Sequence, residues 1–116
     1  MRLVLGMAAA IMAVTLVQPA SAQETDGFYT GGRLNERCKT DEAGCRGYII
    51  GAVDAVMAYT SYSKSQPIFC VPQGIDADTI IDVVIKHLEA NPAKWQYDAA
   101  GQVMLALHNA YPCSTQ

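Results

Sequence analysis

Cys45-Arg46-Gly47-Tyr48-Ile49-Ile50-Gly51-Ala52-Val53-Asp54-Ala55-Val56-Met57-Ala58-Tyr59-Thr60-Ser61-Tyr62 runs without a proline and with only two glycines, so it reads as one uninterrupted helix. Ile50, Val53 and Met57 fall on one line of that helix, and Ile49, Ala52, Val56 and Tyr59 fall on the next. Apolar side chains on more than one face predict a core helix with most of its circumference covered. Gly47, Gly51 and Ala58 share a face with little side-chain volume, where another backbone could approach. Asp54 stands out as a carboxylate inside this apolar run. It is expected to be a buried structural group that accepts N–H donors from a neighbouring element, since an unpaired buried carboxylate would neutralise. A catalytic role for it would need a second ionisable group, and His87 and His108 are the only nominees.

The chain flanking this helix divides at residue 22. Met1 and Arg2 give a short positive start, Leu3 to Val17 is apolar, and Ala20-Ser21-Ala22 has the small-x-small form of a cleavage site. Residues 1–22 therefore read as a secretory signal peptide, its apolar part too short for a membrane span of about 20 residues. Residues 23–116 are expected to form a single domain, and no cysteine follows the cleavage site to carry a lipid. The whole chain has net charge −3, and the loss of Arg2 makes it −4. Its basic residues are scattered, which is not the clustered footprint of a nucleic-acid-binding protein.

Four cysteines, Cys38, Cys45, Cys70 and Cys113, lie in this exported part. An even number in a small secreted domain predicts two disulfides. Zinc is not expected, because there is no C-x-x-C pair and neither histidine stands at ligand spacing from a cysteine. Helix geometry narrows the pairing. The core helix carries the chain about 28 Å from Cys45 to Lys64, whereas Ser65 to Cys70 can return at most about 20 Å. Cys45 cannot reach Cys70. Cys38 with Cys45 and Cys70 with Cys113 is the favoured pairing, and Cys38 with Cys70 plus Cys45 with Cys113 is the second choice.

The remaining elements follow from local signals. Gln23 to Thr30 reads as a loose arm, and Arg33 to Cys38 as about two turns of helix with Thr30 as cap. Pro67 ends the core helix region, and Ile68-Phe69-Cys70-Val71-Pro72 reads as an apolar strap lying across the helices. Asp76 caps a second long helix in which Ile81, Val84, Ile85 and Leu88 face inward, with Ile75 placed to staple against Ile80 and Asp82 to pair with Lys86. Asn91-Pro92 stops it. Asp98 caps a third, with Ala99, Val103, Ala106, Leu107 and Ala110 as its inner stripe, ending at Tyr111-Pro112-Cys113. Trp95 and Tyr97 are expected to lid the core, and His87 and His108 to be boundary residues satisfied by partners. The predicted fold is all-α: a small disulfide-stapled bundle of three main helices plus a short N-terminal helix. The polar link Tyr62 to Gln66, with Tyr62, Lys64 and Gln66, is the candidate for contact with a partner.

Taken in order, Thr30-Gly31-Gly32-x-Leu34, Cys38, Cys45-x-Gly47-Tyr48-Ile49-x-Gly51-x-x-Asp54, Phe69-Cys70-Val71-Pro72, Gly74-Ile75-Asp76, Leu88-Glu89-Ala90-Asn91-Pro92 and Ala106-Leu107 before Tyr111-Pro112-Cys113 resemble the Rap/Tai family of immunity proteins. That family belongs to type VI secretion systems. The chain departs from it at Tyr111, where phenylalanine is expected, and at Gly101, which is expected to loosen the third helix. The resemblance implies a periplasmic, non-enzymatic protein that binds and occludes a secreted peptidoglycan amidase. It implies no cofactor, no metal, no nucleic acid and no membrane contact after cleavage, and leaves a homodimer open. The alternative from a different class is an orphan periplasmic stress-related binding protein of the acid-activated chaperone type, which would expose apolar surface at about pH 3.

Overall fold

The computed structural model describes residues 28–114; the expected signal peptide, residues 1–22, and most of the expected arm before Thr30 lie outside the described residues. The described residues form four helices: α1 (Gly31–Thr40), α2 (Glu42–Ser63), α3 (Ala77–Ala90) and α4 (Ala99–Ala110), with a 3-10 turn at Pro92–Lys94. The architecture is all-α.

Three helices start where cap chemistry directs. Thr30 accepts from the Arg33 N–H, Asp76 from Thr79 and Asp98 from Gly101 through their side chains. Each satisfies an N–H that the first helical turn leaves without a partner. A fourth cap, Asp41 on the Gly44 N–H, starts α2 three residues before Cys45. At Gly101 the Asp98 carboxylate occupies the place where a Cβ would stand, so this glycine makes room for the cap at the first turn.

Every pair among the four helices is in contact, and α3 packs most extensively on α4. The core is one cluster built around Leu34, Ile49, Val84, Leu88, Val103 and Leu107, each no more than 1 % exposed. Full burial of one such side chain contributes roughly 1.5–3 kcal/mol. The start of α1 is sewn to the start of α4: Gly31 N–H donates to Tyr97 O at 2.8 Å and Ala99 N–H to Tyr29 O at 2.7 Å. A Cβ on Gly31 would stand 3.1 Å from Gln102 Cγ, a tight approach that the Gln102 side chain would have to relieve by shifting a few tenths of an ångström.

The cysteines are joined Cys38 to Cys45 and Cys70 to Cys113, and among the described residues none is free. The first bond staples α1 to the start of α2. The second ties the strap to the chain beyond α4. Two disulfides fit an oxidising compartment.

The structure corrects the expected covering of α2. Only Cys45, Ile49 and Val53 of this 22-residue helix are buried, which is one stripe rather than most of the circumference. Three neighbouring helices supply a single concave face, and the opposite side of α2 is left to solvent. Gly47 and Gly51 meet nothing within 4 Å of a would-be Cβ, so no backbone approaches there. Asp54, expected to be buried, is exposed. It sits on the wet side of α2, where its charge is solvated and needs no donor. Ala110, expected on the inner stripe of α4, is exposed as the helix runs past the end of the core. Ile75 is also exposed, and Tyr97 is 55 % exposed. Trp95 does cover the core edge, half-buried with its Nε1–H donating to Leu88 O at 2.8 Å.

Candidate partner-binding surface

From Ala55 to Ile75 the chain carries Lys64 as its only charged side chain. Every acidic residue of the described structure lies outside that span. The stretch forms the last turns of α2, the turn at its end, and the strap. Tyr62 and Ser63, expected in a link, belong to the last turn of the helix, which closes at Lys64 in the left-handed conformation (φ 53°). A lysine there costs roughly 1–2 kcal/mol relative to a right-handed residue. Hydroxyls hold the turn: Ser63 Oγ–H donates to Tyr59 O at 2.8 Å, and Ser63 and Ser65 hydroxyls bond at 2.6 Å. Tyr62, Lys64 and Gln66 are all exposed at and just beyond the end of α2.

Beside that helix end runs a feature that the sequence did not single out. Val56, Met57 and Thr60 of α2 form one wall of an apolar groove of about 240 Å³, and Pro67, Ile68 and Phe69 form the other. Phe69 is buried at 6 % exposure and anchors the strap, whereas Ile68 beside it is 44 % exposed and Met57 55 %. Tyr59 and Tyr62 are also exposed, and helical spacing puts them on the side of α2 away from the groove. The apolar character of Ile68 and Phe69 could be read from the sequence, but the bend at Ile68 that separates an exposed from a buried side chain could not. The facing wall could not, since it depends on how the strap folds back.

Three bonds hold the strap in place. The Cys70 N–H donates to Tyr111 O at 2.8 Å, His108 Nδ1 bonds Ile68 O at 2.8 Å, and the Cys70–Cys113 disulfide adds a covalent tie. His108 thus has a backbone partner. His87 is half-buried and bonds the buried Gln102 amide through Nε2 at 3.2 Å. Neither histidine approaches Asp54 by any hydrogen bond or ion pair, and among the described residues no group of three or more His, Cys, Asp or Glu could hold a metal ion. No described helix is long and apolar enough to cross a membrane.

Charges are more even elsewhere. Arg46 pairs with Asp78 at 2.5 Å between α2 and α3, and Arg33 and Arg37 lie over the Tyr29 ring at 4.9 and 5.5 Å. Tyr29 stacks on Tyr48 with ring centroids 5.3 Å apart. Burial raises the Tyr48 hydroxyl above its ordinary pKa, and the nearby Asp98 charge adds to the rise.

This is a small disulfide-bonded helical domain with exposed tyrosine, methionine and isoleucine side chains along a stretch that carries one charge. Depletion of charge with enrichment of Tyr and Met marks the centre of protein interfaces. Among such proteins it has a definite place: residues 30–113 match the model for Rap1a immunity proteins, and the chain belongs to that family. It is an immunity protein, and its work is to bind a toxin. No curated protein and no solved structure matches the chain.

Proposed function

We propose that residues 1–22 export the domain formed by residues 23–116 to the periplasm, where it binds and occludes a peptidoglycan amidase delivered by type VI secretion. The observation that carries this reading is the stretch from Ala55 to Ile75, with Lys64 its one charge, on a chain of the immunity family. Tyr62, Lys64 and Gln66 and the groove form the grip. Tyrosine supplies rigid contact area and serine adaptable hydrogen bonds, the combination that binding loops of antibodies use. Occlusion needs shape and affinity but no reaction, so a face without nucleophile or metal is sufficient.

The test is inhibition of an amidase encoded beside this gene, with affinity measured for the native chain and for a Tyr62→Ala, Lys64→Ala variant. The native chain should inhibit, and the variant should bind at least about tenfold more weakly if these residues stand at the centre of the contact. An uninhibited amidase removes the reading. Suppression of aggregation at about pH 3 in its place would favour the chaperone alternative.

A further inference from the structure

We propose that the Cys70–Cys113 disulfide is a redox-controlled clasp on the strap, and that opening it frees one wall of the groove while the helical bundle stays folded. The two disulfides are unequally shielded. Cys45 is 2 % exposed with Cys38 half-buried, whereas Cys70 is exposed and Cys113 half-buried. A reductant reaches the second bond first, because exchange requires access of a thiolate to a sulfur. What the bond holds is also distinctive. It lies outside all four helices, joining the strap to the segment after α4.

Once it opens, the strap from Lys64 to Pro72 keeps the Cys70 N–H to Tyr111 O bond, the His108 to Ile68 O bond, the Ser63 to Ser65 hydroxyl bond and the packing of Phe69 and Val71 on the core as attachments, none of them covalent. The helices keep more. Leu34, Ile49, Val84, Leu88, Val103 and Leu107 pack without the strap, and Cys38–Cys45 still staples α1 to α2. The strap is thus the part of lowest local stability, the part that opens first when a tie is cut. Ile68 and Phe69, which form the groove wall, move with it. The chemistry is thiol–disulfide exchange with a dithiol reductant. Its thiolate attacks one sulfur and releases the other as a thiolate. Its second thiol, as the thiolate, then attacks the reductant sulfur of this mixed disulfide and expels the remaining cysteine, leaving two cysteine thiols and a cyclic disulfide after transfer of two electrons and two protons.

A consequence for the toxin-binding face follows, and that part rests on the preceding reading: the grip is set only after oxidation. The clasp itself is tested on the isolated chain without any partner, so its failure leaves the binding reading intact. Graded dithiothreitol at about 15 °C, near the temperature of greatest stability for small domains, is followed by alkylation mapping, helical circular dichroism and amide exchange by NMR. Cys70 and Cys113 should become alkylated at a reductant level that leaves Cys38 and Cys45 protected. The helical signal should hold. Exchange of the Cys70 amide should rise by roughly tenfold or more, while the amides of Val53, Val84 and Val103 stay protected. A Cys70→Ser, Cys113→Ser variant should show the same exchange pattern without reductant. Simultaneous opening of both bonds, loss of helix on opening the second, or an unchanged Cys70 amide would each overturn the proposal.

Discussion

Asp54 shows what a single residue can and cannot reveal. Helical spacing says which neighbours share its face, but not whether that face meets another element, and here it meets water. Its replacement by Asn should therefore alter unfolding free energy by no more than about 0.5 kcal/mol in a denaturant titration. A buried carboxylate with donors would have cost several times that. Tyr48 is the opposite case. Its hydroxyl pKa is raised in the folded chain by burial first and by Asp98 second. The unfolded chain therefore loses this proton more readily, and the stability the neutral ring contributes is complete below about pH 10 and is lost as pH climbs through the raised folded value. Tyr48→Phe should flatten that alkaline fall in midpoint against pH. His108 was legible as a boundary residue but its partner was not, because Ile68 lies 40 positions away in the chain.

At the scale of elements, the helix starts could be read and the packing could not. Thr30, Asp76 and Asp98 announce themselves because a cap is a contact over three residues, complete within the local sequence. Thr30→Ala should cost about 1 kcal/mol of unfolding free energy. The Asp76 carboxyl is held below its ordinary value by the Thr79 N–H first and by the Thr79 side chain second. A lowered folded pKa means that this cap contributes fully above the unfolded value near 4 and is lost as pH falls through the folded one. Asp76→Asn keeps an acceptor without the titration, so its midpoint should depend less on pH in acid than that of the native chain. The strap is the element that the sequence described least. Its apolar run was clear, yet which residue turned inward depended on α2 offering Val56 and Met57 as a facing wall. The same long-range dependence hid the open side of α2.

For the whole molecule, the all-α class was legible from helical periodicity and caps, and reach removed one of the three cysteine pairings, since six residues cannot bring Cys70 back to Cys45; the choice between the other two needed an assumed up-down-up order of helices. How far the core extends was not legible, since four short helices enclose one cluster and leave the rest of α2 bare. The two covalent ties differ in loop size, with sequence separations of 7 and 43. On the chain-entropy model they stabilise by roughly 2 and roughly 4 kcal/mol, chiefly by restricting the unfolded chain. Removing the longer one should lower the thermal midpoint by roughly 15–25 °C in calorimetry, with the helices still formed in the cold. The longer tie also makes residues 70–113 a covalent ring that takes in α3 and α4. A protease nick anywhere on that ring leaves a single molecule with no fragment shed, so this immunity protein can be cut there and still hold its pieces together until something reduces it.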